Sequence, residues 1–185
     1  MPAKQKLTKE QIELAALEIV RRGGPDSLNA RALARALDCS TQPIFSNFAS
    51  MDELAKAVEA RALALYEQHI ARAMADSSPA YKASGLAYIS FAREEKQLFR
   101  LLFMCDRRGD YATKENTDGV IAALRQKTGL SYEEAMEKHL MMWVFVHGIA
   151  VMINTGYLDW TEEQTSSLLE KEFSGMITNA KEAER

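Results

Sequence analysis

Asn29-Ala30-Arg31-Ala32-Leu33-Ala34-Arg35-Ala36-Leu37-Asp38-Cys39-Ser40-Thr41-Gln42-Pro43-Ile44-Phe45-Ser46-Asn47-Phe48 is the stretch on which the fold turns. Asn29 is a good N-cap, and behind it Ala30, Leu33, Ala34 and Leu37 share one helical face while Arg31 and Arg35 lie on the other. Asp38-Cys39 interrupts that helix, and Ser40 is predicted to cap a second one beginning Thr41-Gln42-Pro43, where proline is tolerated because a first-turn N–H lacks an intrahelical acceptor. Ile44 and Phe48, four apart, would hold the second helix on the core and leave Thr41, Gln42, Ser46 and Asn47 free. Two short helices across a tight turn make a helix-turn-helix, in which the second helix enters the major groove and the first spans the phosphates. Thr41, Gln42, Ser46 and Asn47 can hydrogen-bond base edges or phosphates, and Arg31 can bind a phosphate or read a guanine bidentately. The helix start at Ser40 would also offer free N–H groups to a phosphate. Arg35 reads equally well as a solvated side chain or a contact.

The flanking segments continue the helical pattern. Leu7-Thr8-Lys9-Glu10-Gln11-Ile12 places Thr8 at an N-cap with Gln11 three residues on, a capping box, with Leu7 and Ile12 spaced as a hydrophobic staple. Ile12, Ala15, Ala16, Ile19 and Val20 form one buried face, and Gly23-Gly24-Pro25 stops the helix. Ser50-Met51-Asp52-Glu53 is a second capping box, opening a helix to about Met74. Ser78-Pro79 predicts a helix to about Glu95 or Lys96 with proline at its first position. A short apolar helix is expected over 97–104, a loop over 107–113 and a helix over 114–128. Ser131-Tyr132-Glu133-Glu134 caps a long helix ending near Asn154-Thr155-Gly156, and Thr161-Glu162-Glu163-Gln164 begins a last one running to about Ala180. The expected fold is all-α, about nine helices without a strand or repeat. Residues 7–67 would form a helix-turn-helix domain and 68–185 a C-terminal helical domain.

Composition agrees with a globular chain and narrows its class. The 185 residues are 47% hydrophobic and 26% charged, which excludes a disordered chain. The longest apolar run, Trp143 to Ile153, is broken by His147 and Gly148 well short of a membrane span. The basic start lacks the apolar core of a signal peptide. With Cys39 and Cys105 as the only cysteines, no disulfide framework is expected and a reducing cytoplasm is the expected compartment. Residues 1–50 carry seven basic and five acidic side chains, and the rest of the chain is net −5. A basic head on an acidic body suits a head that alone meets a polyanion. His139 and His147 are eight apart, and no His-x-x-x-His pair, paired cysteines or nucleophile motif joins them, so no metal, cofactor or catalytic site is expected. Cys105, beside Met104, reads as a structural thiol.

The stretch from Leu7-Thr8 through Asp26–Leu37, Ser40–Phe48 and Met51-Asp52-Glu53-Leu54 resembles the tetracycline-repressor (TetR) family of one-component transcriptional regulators, in register over about the first 60 residues. Leu98–Phe103 and Trp143-Val-Phe-Val-His147-Gly148 resemble the Trp…His-Gly subgroup of that family's C-terminal domains. The resemblance implies an N-terminal DNA-binding domain contacting a palindromic operator through Asn29, Arg31, Ser40, Thr41, Gln42, Phe45, Ser46, Asn47 and Lys56. Three positions depart from the family pattern: Asp38 replaces the turn glycine, Phe45 a phosphate-binding tyrosine, and Met51 a lysine, with Lys56 about one turn further on.

The resemblance further implies a pocket for a small, apolar or amphipathic effector among the central helices. Tyr66, Phe91, Phe99, Phe103, Met104, Trp143 and His147 are its candidate lining, although such aromatic and methionine stripes are first of all core. His147 reads equally as a polar hook for a ligand or as a buried, hydrogen-bonded histidine. The last two helices carry apolar stripes, Leu140, Val144, Val151 and then Leu168, Leu169, Phe173, Met176 and Ile177. Burial in the chain's own core is one reading of these; a homodimer interface is what the resemblance implies. The expected function is a ligand-responsive regulator, a repressor released by its effector. The alternative is a helical module that binds a protein or ligand and ignores DNA.

Overall fold

The computed structural model describes residues 7–77, 79–105 and 114–183, the side chains of 114–116 and 176–183 excepted. Among the described residues there are nine α-helices, one 3₁₀ turn and no strand. The helices are α1 (Lys9–Gly23), α2 (Ala30–Ala36), α3 (Gln42–Asn47), α4 (Met51–Asp76), α5 (Ala80–Glu94), α6 (Lys96–Phe103), α7 (Lys114–Thr128), α8 (Tyr132–Asn154) and α9 (Glu162–Ala183). A 3₁₀ turn (Pro25–Ser27) follows α1. The chain divides into two compact units, Met1–Tyr66 with Glu95–Asp106, and Glu67–Glu94 with Arg107–Arg185. The α4 helix therefore runs through both, and α6, expected in the C-terminal domain, clusters with the first.

In the first unit the Thr8 capping box forms: the Thr8 hydroxyl accepts the Gln11 N–H at 3.2 Å, and the Gln11 side-chain oxygen accepts the Thr8 N–H at 2.9 Å. Helix α1 ends at Gly24, whose φ of 83° and ψ of 173° suit glycine alone. Ile12, Ala16 and Val20 of α1 pack with Leu33, Ile44, Phe48, Leu54 and Val58 in the core, all buried. The α6 helix contributes Leu98, Phe99 and Leu102, and its start is tied to α1 by an Arg21–Glu95 fork. Each large apolar side chain so buried contributes roughly 1.5–3 kcal/mol.

The predicted box at Ser50 closes differently. Ser50 accepts the Glu53 N–H at 3.1 Å, but the Glu53 carboxylate accepts the Ala49 N–H at 2.7 Å. Its other oxygen meets Lys9 at 3.2 Å, so the box also pins α4 to α1. The Ala49 N–H first, then Lys9, hold the Glu53 carboxyl below its ordinary value.

In the second unit α5 packs against α7, α8 and α9. The capping boxes at Ser131–Glu134 and Thr161–Gln164 both form, the latter with the Gln164 N–H donating to the Thr161 hydroxyl at 3.2 Å. Gly85 lets α9 approach: a Cβ there would lie 3.1 Å from Leu169 Cδ2. Proline does not enter α5 as expected. Pro79 precedes it and accepts the Ala83 N–H at 3.1 Å, because a ring without an N–H serves as well just outside the first turn. Ser78 and the loop expected over 107–113 lie outside the described residues. Among those residues α8 alone is long and apolar enough to cross a bilayer, with a mean hydropathy of 1.2. Its buried face nevertheless packs on α5, α7 and α9.

Candidate functional site

The turn between α2 and α3 is built from backbone geometry. Asn29 caps α2, its side-chain oxygen accepting the Ala32 N–H at 2.9 Å. Among the described residues Asp38 is the only non-glycine with positive φ, 47°. Aspartate tolerates this left-handed conformation better than most side chains, so it can stand where the family has glycine. The Cys39 N–H then reaches back to the Ala34 carbonyl at 2.9 Å. Ser40 is not the cap it was expected to be. The α3 helix starts one residue later, with Thr41 at the N-cap and no side-chain cap bond. A helix capped at Ser40 would bring the Ile44 N–H to the Ser40 carbonyl. The Thr41 carbonyl instead accepts from Ile44 and Phe45 at 3.1 and 3.3 Å.

The α3 helix has two faces. Ile44 and Phe48 are buried as expected, and Gln42, Phe45 and Ser46 face solvent, Phe45 with 49% of its surface exposed. The polar groups are not equally free. Ser46 donates its hydroxyl to the Gln42 carbonyl at 2.9 Å, and Asn47 donates its amide to the Pro43 carbonyl at 2.8 Å. Asn29 is engaged at both ends, since its amide nitrogen also donates to the Ser27 carbonyl at 3.3 Å. The Gln42 amide and the Phe45 ring have no partner among the described residues.

The cations divide in the same way. Lys9 pairs with Glu53, Arg21 with Glu95, Arg22 with Glu18, and Arg61 with Glu13. Arg31, Arg35 and Lys56 are exposed, and among the described residues none makes an ion pair. Thus the first unit carries three uncompensated positive charges on or near its helix-turn-helix. Such charges suit phosphate binding, since neutralising a phosphate releases condensed counterions. Sequence patterning placed these residues but could not distinguish the paired cations from the unpaired ones.

The seven effector candidates fall in both units. Tyr66, Phe99, Phe103 and Met104 belong to the first. There Phe103 packs edge-on to Tyr66 with centroids 4.9 Å apart, Phe99 is fully buried, and Met104 is exposed. Phe91, Trp143 and His147 belong to the second. Phe91 is buried beside His69, while the Trp143 and His147 rings stack 5.1 Å apart at 17°. His147 Nδ1 lies 2.8 Å from the Tyr88 hydroxyl, and His139 Nδ1 lies 3.3 Å from that of Tyr81. The histidine is therefore hydrogen-bonded and also sits under an indole that is 40% exposed. Burial holds both histidines below their ordinary value and raises the Tyr81 hydroxyl.

Two features of the second unit escaped sequence reading. Tyr81 and Tyr88, seven apart on α5, oppose His139 and His147, eight apart on α8; that matched spacing was the available signal. A groove of about 980 Å³ is lined by His69, Arg72, Ser90, Arg93 and Glu162 among others, and by none of the seven candidates. Among the described residues no group of three His, Cys, Asp or Glu could hold a metal.

Comparison with known proteins agrees with this architecture. The family model described as "Tetracyclin repressor-like, C-terminal domain" matches residues 81–175. An uncharacterized HTH-type transcriptional regulator of Mycobacterium tuberculosis (strain ATCC 25618 / H37Rv) is 29% identical over 164 residues, covering 83% of this chain and 73% of the relative. A TetR variant from Acinetobacter baumannii AYE, solved in complex with minocycline, shares the fold at TM-score 0.61 and 18% identity, over 96% of this chain and 98% of its own. A TetR-family structure from Streptomyces coelicolor A3 also gives TM-score 0.61, at 19% identity over 88% of this chain and 95% of its own. With the family match covering just over half its length, the chain belongs to the TetR family of helix-turn-helix transcriptional regulators.

Proposed function

We propose that the chain is a ligand-responsive repressor of the bacterial cytoplasm, a homodimer that binds a palindromic operator and is released by a small apolar or amphipathic molecule. The observation that carries the DNA-binding part is the set of exposed, unpaired cations on the helices that flank α3 in the chain, Arg31 and Arg35 on α2 and Lys56 on α4. Arg31, Arg35 and Lys56 would take phosphates, and α3 would enter the major groove. The homodimer reading rests on α8, where Leu140, Met141 and Val144 are 58%, 55% and 59% exposed on adjacent turns. An apolar stripe of this kind is stabilised by a partner helix, and a two-fold copy would present two α3 helices to two half-sites.

The effector would bind the second unit. There Trp143 and His147, with Tyr88, combine exposed aromatic surface with polar groups that can fix a ligand's orientation. Because α4 continues from the first unit into the second, it is the element through which occupancy would alter operator binding. The ligand must bind the two states unequally; about 1.4 kcal/mol of difference shifts their ratio tenfold.

The exposed α8 stripe alone would also suit a helical interaction module that never meets DNA. Binding of the full chain to its own upstream intergenic DNA, against a scrambled duplex over a salt titration, separates the two. A preference persisting near physiological salt supports the repressor, whereas equal indifference to every duplex supports the module.

A further inference from the structure

We propose that the operator half-site is read as A·T, with the Gln42 amide on an adenine and the Phe45 ring against a thymine methyl. This rests on the DNA-binding reading above and names the bases it would recognise. The argument begins with the groups already engaged. Ser46 and Asn47 have the right chemistry for base edges, yet both donate to carbonyls of their own helix, at 2.9 and 2.8 Å. Within α3 this leaves two exposed side chains without a hydrogen-bond partner among the described residues, Gln42 and Phe45, three residues apart, while Thr41 precedes the helix and is half-buried. On a helix that spacing puts them side by side, so they address neighbouring base pairs.

Each reader has a specific complement in the major groove. A carboxamide bonds bidentately to adenine through N6 and N7, whereas guanine presents two acceptors that such a group matches less well. A phenyl ring offers neither donor nor acceptor. Its complement is the C5 methyl of thymine, the apolar group a major groove displays on that base. Phe45 holds 49% of its surface in solvent, and covering it with a methyl removes apolar area from water on both sides. Arg31, Arg35 and Lys56 supply charge complementarity to the flanking phosphates without specifying sequence.

The test starts from selection of a random duplex library by the full-length protein. The enriched half-site is expected to contain adjacent A·T pairs. In a duplex of that sequence, replacing the contacted thymine by uracil removes only the methyl. The wild-type protein should lose about fourfold in affinity, the equivalent of one buried CH₂ group, about 0.8 kcal/mol. Phe45→Ala should bind thymine and uracil duplexes equally, and Phe45→Leu should retain the difference. Gln42→Ala should lose about five- to 150-fold discrimination at the adenine. Unchanged circular dichroism would show that the exposed substitutions leave the fold intact. A half-site of G·C pairs, no effect of uracil on the wild type, or the same effect in Phe45→Ala would overturn the base assignment while leaving DNA binding standing. Failure to enrich any sequence would overturn both.

Discussion

Replacing Arg31, Arg35 and Lys56 together by glutamine should remove most of the salt dependence of DNA binding. These three cations are the exposed basic groups of the helix-turn-helix region without an acidic partner among the described residues, so a dimer presents six of them. At a slope of about −0.9 per neutralised phosphate, log K against log salt should fall with a slope near −5. Raising salt from roughly 50 to 200 mM would then cost about 10³ in affinity. The triple variant should show a shallow slope, and Lys56→Gln alone should flatten it by roughly 1.8, two phosphates per dimer. Arg22→Gln is the control, because Arg22 already pairs with Glu18 at 2.6 Å and should leave the slope unchanged. Fluorescence anisotropy on one duplex over a salt series measures the wild type and the three variants under identical conditions. A triple variant with the wild-type slope, or an Arg22 variant as flat as Lys56→Gln, would refute the reasoning.

Three further outcomes follow from particular contacts. Gly24→Ala should destabilise the chain by about 1–3 kcal/mol in urea, because Gly24 has φ 83° and ψ 173°, a region open essentially to glycine. Leu140→Glu with Val144→Glu should yield a monomer by sedimentation while leaving helicity intact, since both side chains face solvent within one chain. Stability should also fall as pH drops below about 6.5, the ordinary histidine value. Burial holds His139 and His147 below that value, so the unfolded chain takes up protons first and the loss levels off only below the folded-state values. Urea midpoints at pH 7.5 and 5.5 should therefore differ, and the difference should shrink in His139→Gln with His147→Gln.

What the sequence made legible was the part governed by local rules. Caps at Thr8, Asn29, Ser131 and Thr161 are contiguous patterns of donor and acceptor, and each forms where its residues lie. The predicted span of α7 is also met, between Lys114 and Thr128. The misplaced cap at Ser40 is an error of one residue, the Ile44 N–H bonding to the Thr41 carbonyl rather than to that of Ser40.

The site was less legible because it depends on distant partners. Glu53 and Lys9 are 44 residues apart, and Arg61 and Glu13 are 48 apart, so composition could not show which cations are compensated. Nor could an apolar stripe reveal its side: Leu169 is buried whereas Val144, with similar periodicity, is exposed. Aromatic identity failed for the same reason, as Phe99 and Trp143 looked alike in sequence yet differ from full burial to 40% exposure.

The central claim is a two-fold dimer reading two half-sites, and inserting roughly five base pairs between them tests it most directly. That insertion turns one half-site by about half a helical turn, away from the face a closed dimer can reach. The account predicts two chains bound to the uninterrupted palindrome, and affinity for the interrupted one reduced to that of a single half-site. Equal affinity for both duplexes, or for a scrambled one, would contradict it.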